Sequence, residues 1–149
     1  MSLQTTASFL DNFDRSTVVF VTDQFHCEKL IETGSRIAKA TRTTLQVVNI
    51  ERPSTVANSA AIEHLYRISR KFGAEMNVFY EQDDVAGVMS RCLLELQACH
   101  AVTGVPQSEN SVVQRIWRLH PSINFYTVTP DGTMSEVPLA ARLPRQDAK

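Results

Sequence analysis

The sequence has few cysteines and glycines, no long apolar run and no excess of charge of either sign. Its 149 residues contain three cysteines, an odd number with no C-x-x-C pair, which argues against a disulfide framework and against a structural zinc site. The 15 basic and 16 acidic residues give a net charge of −1, so the totals predict no surface for nucleic acid or anionic lipid. No apolar run approaches the roughly 20 residues that span a bilayer, and the start of the chain lacks the basic-then-apolar order of a secretory signal. We therefore expect a soluble, cytoplasmic protein without a membrane-inserted segment.

The composition of the chain is typical of one globular domain. The chain is 43% hydrophobic and 21% charged, which is enough apolar content to build a core at this length. A sustained hydrophobic period is found in residues 16–130 and is missing on either side. We predict an N-terminal arm over residues 1–15, an α/β domain over residues 16–130 and a C-terminal tail over residues 131–149.

Short β-branched runs alternate with amphipathic runs along the central region. The predicted strands, in chain order, cover residues 17–21, 45–50, 75–80, 98–103 and 123–128. Between them apolar residues recur at helical spacing. Asp83-Asp84 stands where one helix begins, and Gly73 stands where another ends. Strict alternation of this kind predicts mainly parallel strands with right-handed crossovers. The expected fold is a doubly wound, three-layer α/β/α sandwich.

In an open sheet of this kind, ligands collect where strands end at their carboxyl edge and the winding direction reverses. Residues 22–26, 49–53 and 104–111 follow strands at that edge. The last of these segments joins a strand to a helix, an arrangement that points backbone N–H groups at a bound phosphate. Gly104 is its only glycine, however, and a loop that holds a triphosphate normally needs several. The sequence therefore has the position of a nucleotide site without the usual glycines.

Polar residues at this edge have both a structural and a functional interpretation. Ser111 and Gln114 form an S-x-x-Q capping box, so the hydroxyl either caps the helix or contacts a phosphate, and it can do both. Asp23 either caps the helix that follows it or binds a ribose hydroxyl. His26 and Cys27 suggest a nucleophile beside a base, but no third group is evident to orient them. We therefore predict no catalytic residue, no metal site and no enzymatic activity.

Two features predict association with another protein. Trp117 lies beside core positions of the last predicted helix, and exposed aromatic residues mark interaction surfaces more often than charges do. The strand that begins at Ile123 and ends at Val128 is apolar and is expected at the edge of the sheet. Pairing this strand with its twin across a two-fold axis would cover the edge, so we expect a homodimer.

Several short motifs follow one another in order along residues 16–129. They are Val18-Val19-Phe20-Val21, Cys27-Glu28-Lys29-Leu30-Ile31, Arg36-Ile37-Ala38, Arg70-Lys71-Phe72-Gly73-Ala74-Glu75, Asp84-Val85-Ala86, Val102-Thr103-Gly104-Val105-Pro106 and Asn110-Ser111-Val112-Val113 with Ile116. Together they resemble the universal stress protein family, and most of all the domain of that type in Kdp-type potassium-sensing histidine kinases. The resemblance implies a flavodoxin-like parallel sheet of five strands in the order 3-2-1-4-5, which often dimerises through its last strand.

Nucleotide-binding members of this family carry a loop of the form G-x-x-G-x9-G-[ST] after the fourth strand. Gly104 and Ser111 match the first glycine and the final hydroxyl residue of that pattern. Gln107 and Asn110 stand where the other two glycines belong, and the intervening segment is shorter than nine residues. The resemblance therefore implies a loop that is vestigial or retuned.

The same members carry an aspartate at the end of the first strand. Thr22 takes that position here, with Asp23 one residue later. In Kdp-type domains a serine-rich turn at this place is associated with a cyclic dinucleotide, and the turn is Thr22-Asp23-Gln24 in this chain. No cofactor is certain; the resemblance implies ATP or another adenine nucleotide. The candidate ligand-binding residues are Thr22, Asp23, Gln24, Asn49, Gly104, Asn110 and Ser111.

The leading hypothesis is a sensory or regulatory module with a degenerate nucleotide loop, acting through dimerisation or contacts with a signalling partner or parent chain. The alternative is an ATP-binding universal stress protein that hydrolyses ATP slowly. In that alternative Gly104, Asn110 and Ser111 hold phosphates and Asp23 holds ribose.

Overall fold

The centre of the fold is a sheet of six strands, formed by the residues that the computed structural model describes (14–22, 26–51, 59–106 and 111–143). The strands are β1 (Ser16–Val21), β2 (Thr44–Glu51), β3 (Glu75–Tyr80), β4 (Ala98–Gly104), β5 (Asn124–Val128) and β6 (Met134–Glu136). Their order in the sheet is β3-β2-β1-β4-β5-β6. The first five are parallel, and β6 runs antiparallel to β5. The predicted α/β class and the order 3-2-1-4-5 are confirmed, with one strand more than expected.

Helices cover both faces of this sheet. They are α1 (Glu28–Thr41) and α2 (Ser59–Lys71) on one face, and α3 (Val85–Glu95), α4 (Val112–Leu119) and the short α5 (Leu139–Arg142) on the other. Successive residues of β1 point to opposite faces, as in any strand. Val18 and Phe20 pack on the α3–α4 side, and Val19 and Val21 pack on the α1–α2 side. β1 is therefore buried along its whole length, which explains its unbroken apolar run.

Two helix ends form at the residues that predict them. The Asp84 carboxylate accepts a hydrogen bond of 3.0 Å from the Gly87 N–H and so satisfies one of the unpaired donors at the start of α3. Gly73 follows α2 with φ of +73°, a left-handed conformation that glycine adopts without steric cost. Both predictions are confirmed.

The sheet continues past β5, which corrects the expected edge strand. β6 pairs with β5, placing Glu136 opposite Tyr126 and Met134 opposite Val128. The strand predicted from Ile123 to Val128 therefore has a neighbour on each side, and dimerisation through a free edge of this strand is not available. β6 was missed because three residues are too few to show a hydrophobic period. The homodimer itself stays a prediction.

Gly34 lies buried on α1 where the helix packs against the sheet. A Cβ atom at this position would collide with the side chain of Val19 and would lie 3.1 Å from Leu45 Cδ1. Helix propensity favours alanine over glycine by about 1 kcal/mol, whereas overpacking a core costs about 1–3 kcal/mol. We expect Gly34→Ala to lower the free energy of unfolding by a net ~1 kcal/mol in urea denaturation. Ala40→Gly, on the exposed side of α1, measures the propensity term alone; a stabilised Gly34→Ala would contradict the packing argument.

Candidate functional site

The candidate site lies between β1 and β4, where the winding of the sheet reverses. From β1 the chain continues to β2 on one side, and it later returns to place β4 on the other side. Val19 lies opposite Val102, so Val21 and Gly104, each two residues further along, end at the same edge. α4 starts above this edge because it follows β4. This is the place where α/β sheets bind ligands.

Gly104 leaves room at the end of β4. A Cβ atom added at this residue would meet no atom of the described residues within 4 Å. Positive φ values among the described glycines occur at Gly73 and Gly132, so Gly104 is not needed for a left-handed turn. The missing side chain therefore leaves space at the end of β4 that no described residue fills, which is what a bound phosphate or sugar requires.

Ser111 is the N-cap of α4. Its Oγ accepts a hydrogen bond of 3.2 Å from the Gln114 N–H, which confirms the structural interpretation of this residue. The reciprocal half of the capping box is not formed, since Gln114 Oε1 is buried and finds no hydrogen-bond partner among the described residues. The first backbone bond of the helix runs from Arg115 N to Ser111 O, at 3.2 Å. The N–H groups of Val112 and Val113 come before these bonds and point out of the helix end.

Asn49 has a structural position beneath this edge. Its side chain is fully buried, and Nδ2 donates a hydrogen bond of 2.8 Å to the carbonyl oxygen of Val21. The amide therefore joins the carboxyl ends of β2 and β1. Thr22, the next residue after β1, is exposed at the candidate site. The other three predicted ligand residues, Asp23, Gln24 and Asn110, lie outside the described residues.

The thiols do not suit nucleophilic chemistry. Cys27, the candidate nucleophile of the sequence, is fully buried in the core beneath α1. Burial raises the pKa of the Cys92 and Cys99 thiols, so little thiolate forms at neutral pH. No group of three or more metal-ligating side chains occurs in the described ranges. None of the described helices is long and apolar enough to cross a membrane.

A contact between α3 and α4 was not foreseen from the sequence. Ser90 Oγ and His120 Nε2 lie 2.6 Å apart. Burial lowers the pKa of His120, so the neutral ring is favoured and Nε2 can accept the hydroxyl proton. In the described part of the chain, no hydrogen bond to His120 Nδ1 orients the ring as a catalytic dyad needs. The pair therefore joins the two helices; no local signal marks it, because its members are on different elements.

The aromatic residue expected to be exposed is buried. Trp117 is 9% exposed and packs in the core with Ile116, so the prediction of a partly exposed tryptophan is wrong. The exposed apolar residues on this side are Leu119 and Leu94, at 59% and 67%. Leu94 does not fall at the helical spacing of the buried α3 residues. This break in spacing is the sequence signal that predicts its exposure.

Two cavities lie away from the switch point. One, of about 650 Å³, opens between the ends of α1 and α2 and the starts of β2 and β3; Lys39, Arg42, Phe72 and Glu75 are among the residues that line it. It is at the amino edge of the sheet, opposite the edge where α/β proteins bind ligands. The other, of about 390 Å³, is a cleft between α3 and α4.

No family model matches the sequence, and no curated protein matches it. Solved structures do. A universal stress protein from Archaeoglobus fulgidus is 17% identical with a TM-score of 0.54, over 74% of this chain and 90% of that one. A protein of the universal stress protein family from Burkholderia pseudomallei is 16% identical with a TM-score of 0.54, over 75% of this chain and 93% of that one. The Archaeoglobus fulgidus protein in complex with dAMP is 18% identical with a TM-score of 0.50, over 68% and 88%.

The structural similarity to these proteins, at 16–18% identity, shows a shared fold. The chain has the α/β fold of the universal stress proteins.

Proposed function

We propose that this chain is a universal-stress-type regulatory module that binds an adenine nucleotide at the carboxyl ends of β1 and β4. The observation that carries the proposal is the space at Gly104, at the carboxyl end of β4, which no described residue fills. The site has room at the end of β4, and the helix that follows β4 begins with unpaired backbone donors at the same edge of the sheet. A universal stress protein with the same fold is known in complex with dAMP.

The residues present fit a phosphate. The outward N–H groups of Val112 and Val113 and the positive end of the α4 dipole would hold it. The exposed Thr22 hydroxyl lies on the β1 side of the same opening, where the sugar would lie. Ser111 already caps the helix, so its hydroxyl contributes mainly by holding these donors in place. Contacts of this kind, without several loop glycines, favour weak and reversible binding.

The module is proposed to act by association, without turning the nucleotide over. The competing function is slow ATP hydrolysis. It predicts that the protein releases phosphate from ATP and that Gly104→Leu stops this release. The narrower assignment to potassium-sensing kinases rests on the sequence resemblance alone. The cytoplasmic location also stays a prediction.

Gly104→Leu is expected to weaken binding of ATP and AMP by at least about tenfold in titration calorimetry. The leucine side chain would occupy the space proposed for the ligand. The Cβ atom of that leucine would have no described atom within 4 Å. The fold and the Tm are therefore expected to stay unchanged. Gly104→Ala is the matched control and should reduce affinity far less.

Phosphate release measured in the same samples separates the two functions. Binding without release supports the regulatory module. Binding of equal strength in the wild type and in a folded Gly104→Leu variant would place the nucleotide elsewhere and overturn the proposed site.

A further inference from the structure

The cavity of about 650 Å³ at the amino edge of the sheet is large enough for a small organic molecule. Pockets that bind such molecules commonly have volumes of about 300–1,000 Å³. Most of the wall of this cavity is apolar. Ala38, Leu45 and Phe72 are its apolar residues, and the cations Lys39 and Arg42 have long aliphatic stems. The cavity therefore suits a ligand with an apolar body.

The charged residues that line the cavity leave one positive charge in excess. They are Lys39, Arg42 and Glu75. The Glu75 carboxylate accepts a hydrogen bond of 3.1 Å from Gln46 Nε2, and Gln46 Oε1 in turn accepts one of 3.0 Å from Asn77. The carboxylate therefore has a donor of its own, which leaves the two cations available to an incoming anion.

The two cations have no acidic partner in the part of the chain that the structure describes. Arg36, on the same helix, pairs with Glu32 at 3.0 Å. Lys39 and Arg42 form neither an ion pair nor a side-chain hydrogen bond with a described residue. Residues 33–50, which include both cations, contain no acidic residue. The dipole of α1 favours a cation in its last turn, which is enough to account for Lys39 and not for Arg42, which follows the helix.

Arg42 is held beside the cavity by the turn that ends α1. It has φ of +60°, a left-handed conformation that glycine adopts without steric cost and arginine adopts with strain. Thr43 is buried, and its Oγ1 lies 2.6 Å from Thr17 Oγ1 and 3.1 Å from Thr41 Oγ1. These contacts fix the turn before a ligand arrives, which lowers the entropy cost of binding. The turn gains nothing from an arginine, so the place of the guanidinium is explained by the cavity that it lines.

We propose that this cavity binds a small organic monoanion with an apolar body, of the class of medium-chain carboxylates. The carboxylate would pair with Arg42, whose planar guanidinium can bind both oxygens, and with Lys39. The alkyl chain would lie against Leu45 and Phe72. A dianion such as a phosphate monoester suits the cavity less, because its second charge would meet Glu75. The site is separate from the proposed nucleotide site, which lies at the opposite edge of the sheet.

Titration calorimetry with octanoate tests the proposal on the full chain. Octanoate is expected to bind saturably with a Kd of about 100 µM or tighter. Acetate has the charge without the chain, and octanol has the chain without the charge. Each is expected to bind at least about tenfold more weakly than octanoate. The proposal is overturned if octanoate shows no saturable binding up to about 1 mM, or if octanol binds as tightly as octanoate.

Arg42→Gly separates a role in binding from a role in folding. Glycine relieves the left-handed strain and removes the cation, so octanoate affinity should fall at least about tenfold while the Tm stays the same or rises. Lys39→Gln should weaken binding in the same direction. Arg36→Gln is the matched control, because Arg36 is on the same helix and is not among the residues that line the cavity.

Two comparisons among these variants complete the test. Octanoate binding as tight in a folded Arg42→Gly variant as in the wild type would overturn the proposal, and so would an equal loss in Arg36→Gln and Arg42→Gly. Gly104→Leu is expected to leave octanoate binding unchanged. Failure of the octanoate site therefore leaves the nucleotide site standing, and the reverse also holds.

Discussion

Arg142→Met is expected to lower the free energy of unfolding by about 2–3 kcal/mol, a fall in Tm of roughly 5–10 °C at this chain length. Arg142 is buried, and its Nη1 donates hydrogen bonds of 2.8 Å to Pro121 O and 2.7 Å to Ile123 O. These bonds attach α5 to the turn that leads into β5. Methionine fills similar space but donates nothing, so two carbonyls lose a charged donor.

The size of this loss depends on how well the guanidinium is satisfied. Arg142 Nε is buried without a hydrogen-bond partner among the described residues, so part of its desolvation cost is not offset. Urea denaturation followed by the fluorescence of the single tryptophan, Trp117, measures the change. Arg118→Met, at a half-buried position on α4, should change stability by less than about 0.5 kcal/mol. A similarly small change for Arg142→Met would mean that desolvation cancels the two bonds.

The layers of the fold could be predicted because each element shows its own period. β1 is buried on both faces, so Val18 to Val21 form an unbroken apolar run, while α1 shows the spacing of one buried face. The order of the strands could not be obtained in this way, because hydrophobic period contains no information about neighbours. It came from the sequence resemblance.

β6 and α5 could not be predicted from local pattern. All three residues of β6 are exposed, so no apolar alternation marks them as a strand. From the sequence alone Arg142 is expected at the surface, since arginine is rarely buried. Its burial depends on two carbonyls about twenty residues earlier in the chain. Tertiary contacts therefore decide the structure of this segment.

In the candidate site, too, some roles could be predicted from the sequence and others could not. The Ser111 cap was predictable because its partner, Gln114, lies three residues further along. The role of Asn49 was not, because its partner Val21 is on another strand. The cleft between α3 and α4, away from this site, depends on the packing of two helices separated in sequence by β4.

Asn49→Asp is expected to cost about 3–5 kcal/mol at neutral pH, because it would bury a charge where a neutral amide now lies. The side chain is fully buried, and its Nδ2 donates to Val21 O at 2.8 Å. A carboxylate of the same shape would turn an oxygen toward that carbonyl and lose the hydrogen bond as well. Asn77→Asp is the matched control: its Nδ2 donates to Gln46 Oε1 and Val47 O, but on a half-buried edge strand, so a smaller loss is expected.

The pH dependence identifies the cause of this loss. Burial raises the pKa of the introduced carboxyl above the unfolded value of about 3.9. Between these two values the folded state binds more protons than the unfolded state, so the stability of the variant falls as pH rises. The difference in free energy of unfolding between the variant and the wild type should therefore be small near pH ~4 and reach its full size at neutral pH. If Asn49 instead serves a ligand, Asn49→Asp would reduce nucleotide affinity with little loss of stability at any pH, and the structural interpretation of this residue would be wrong.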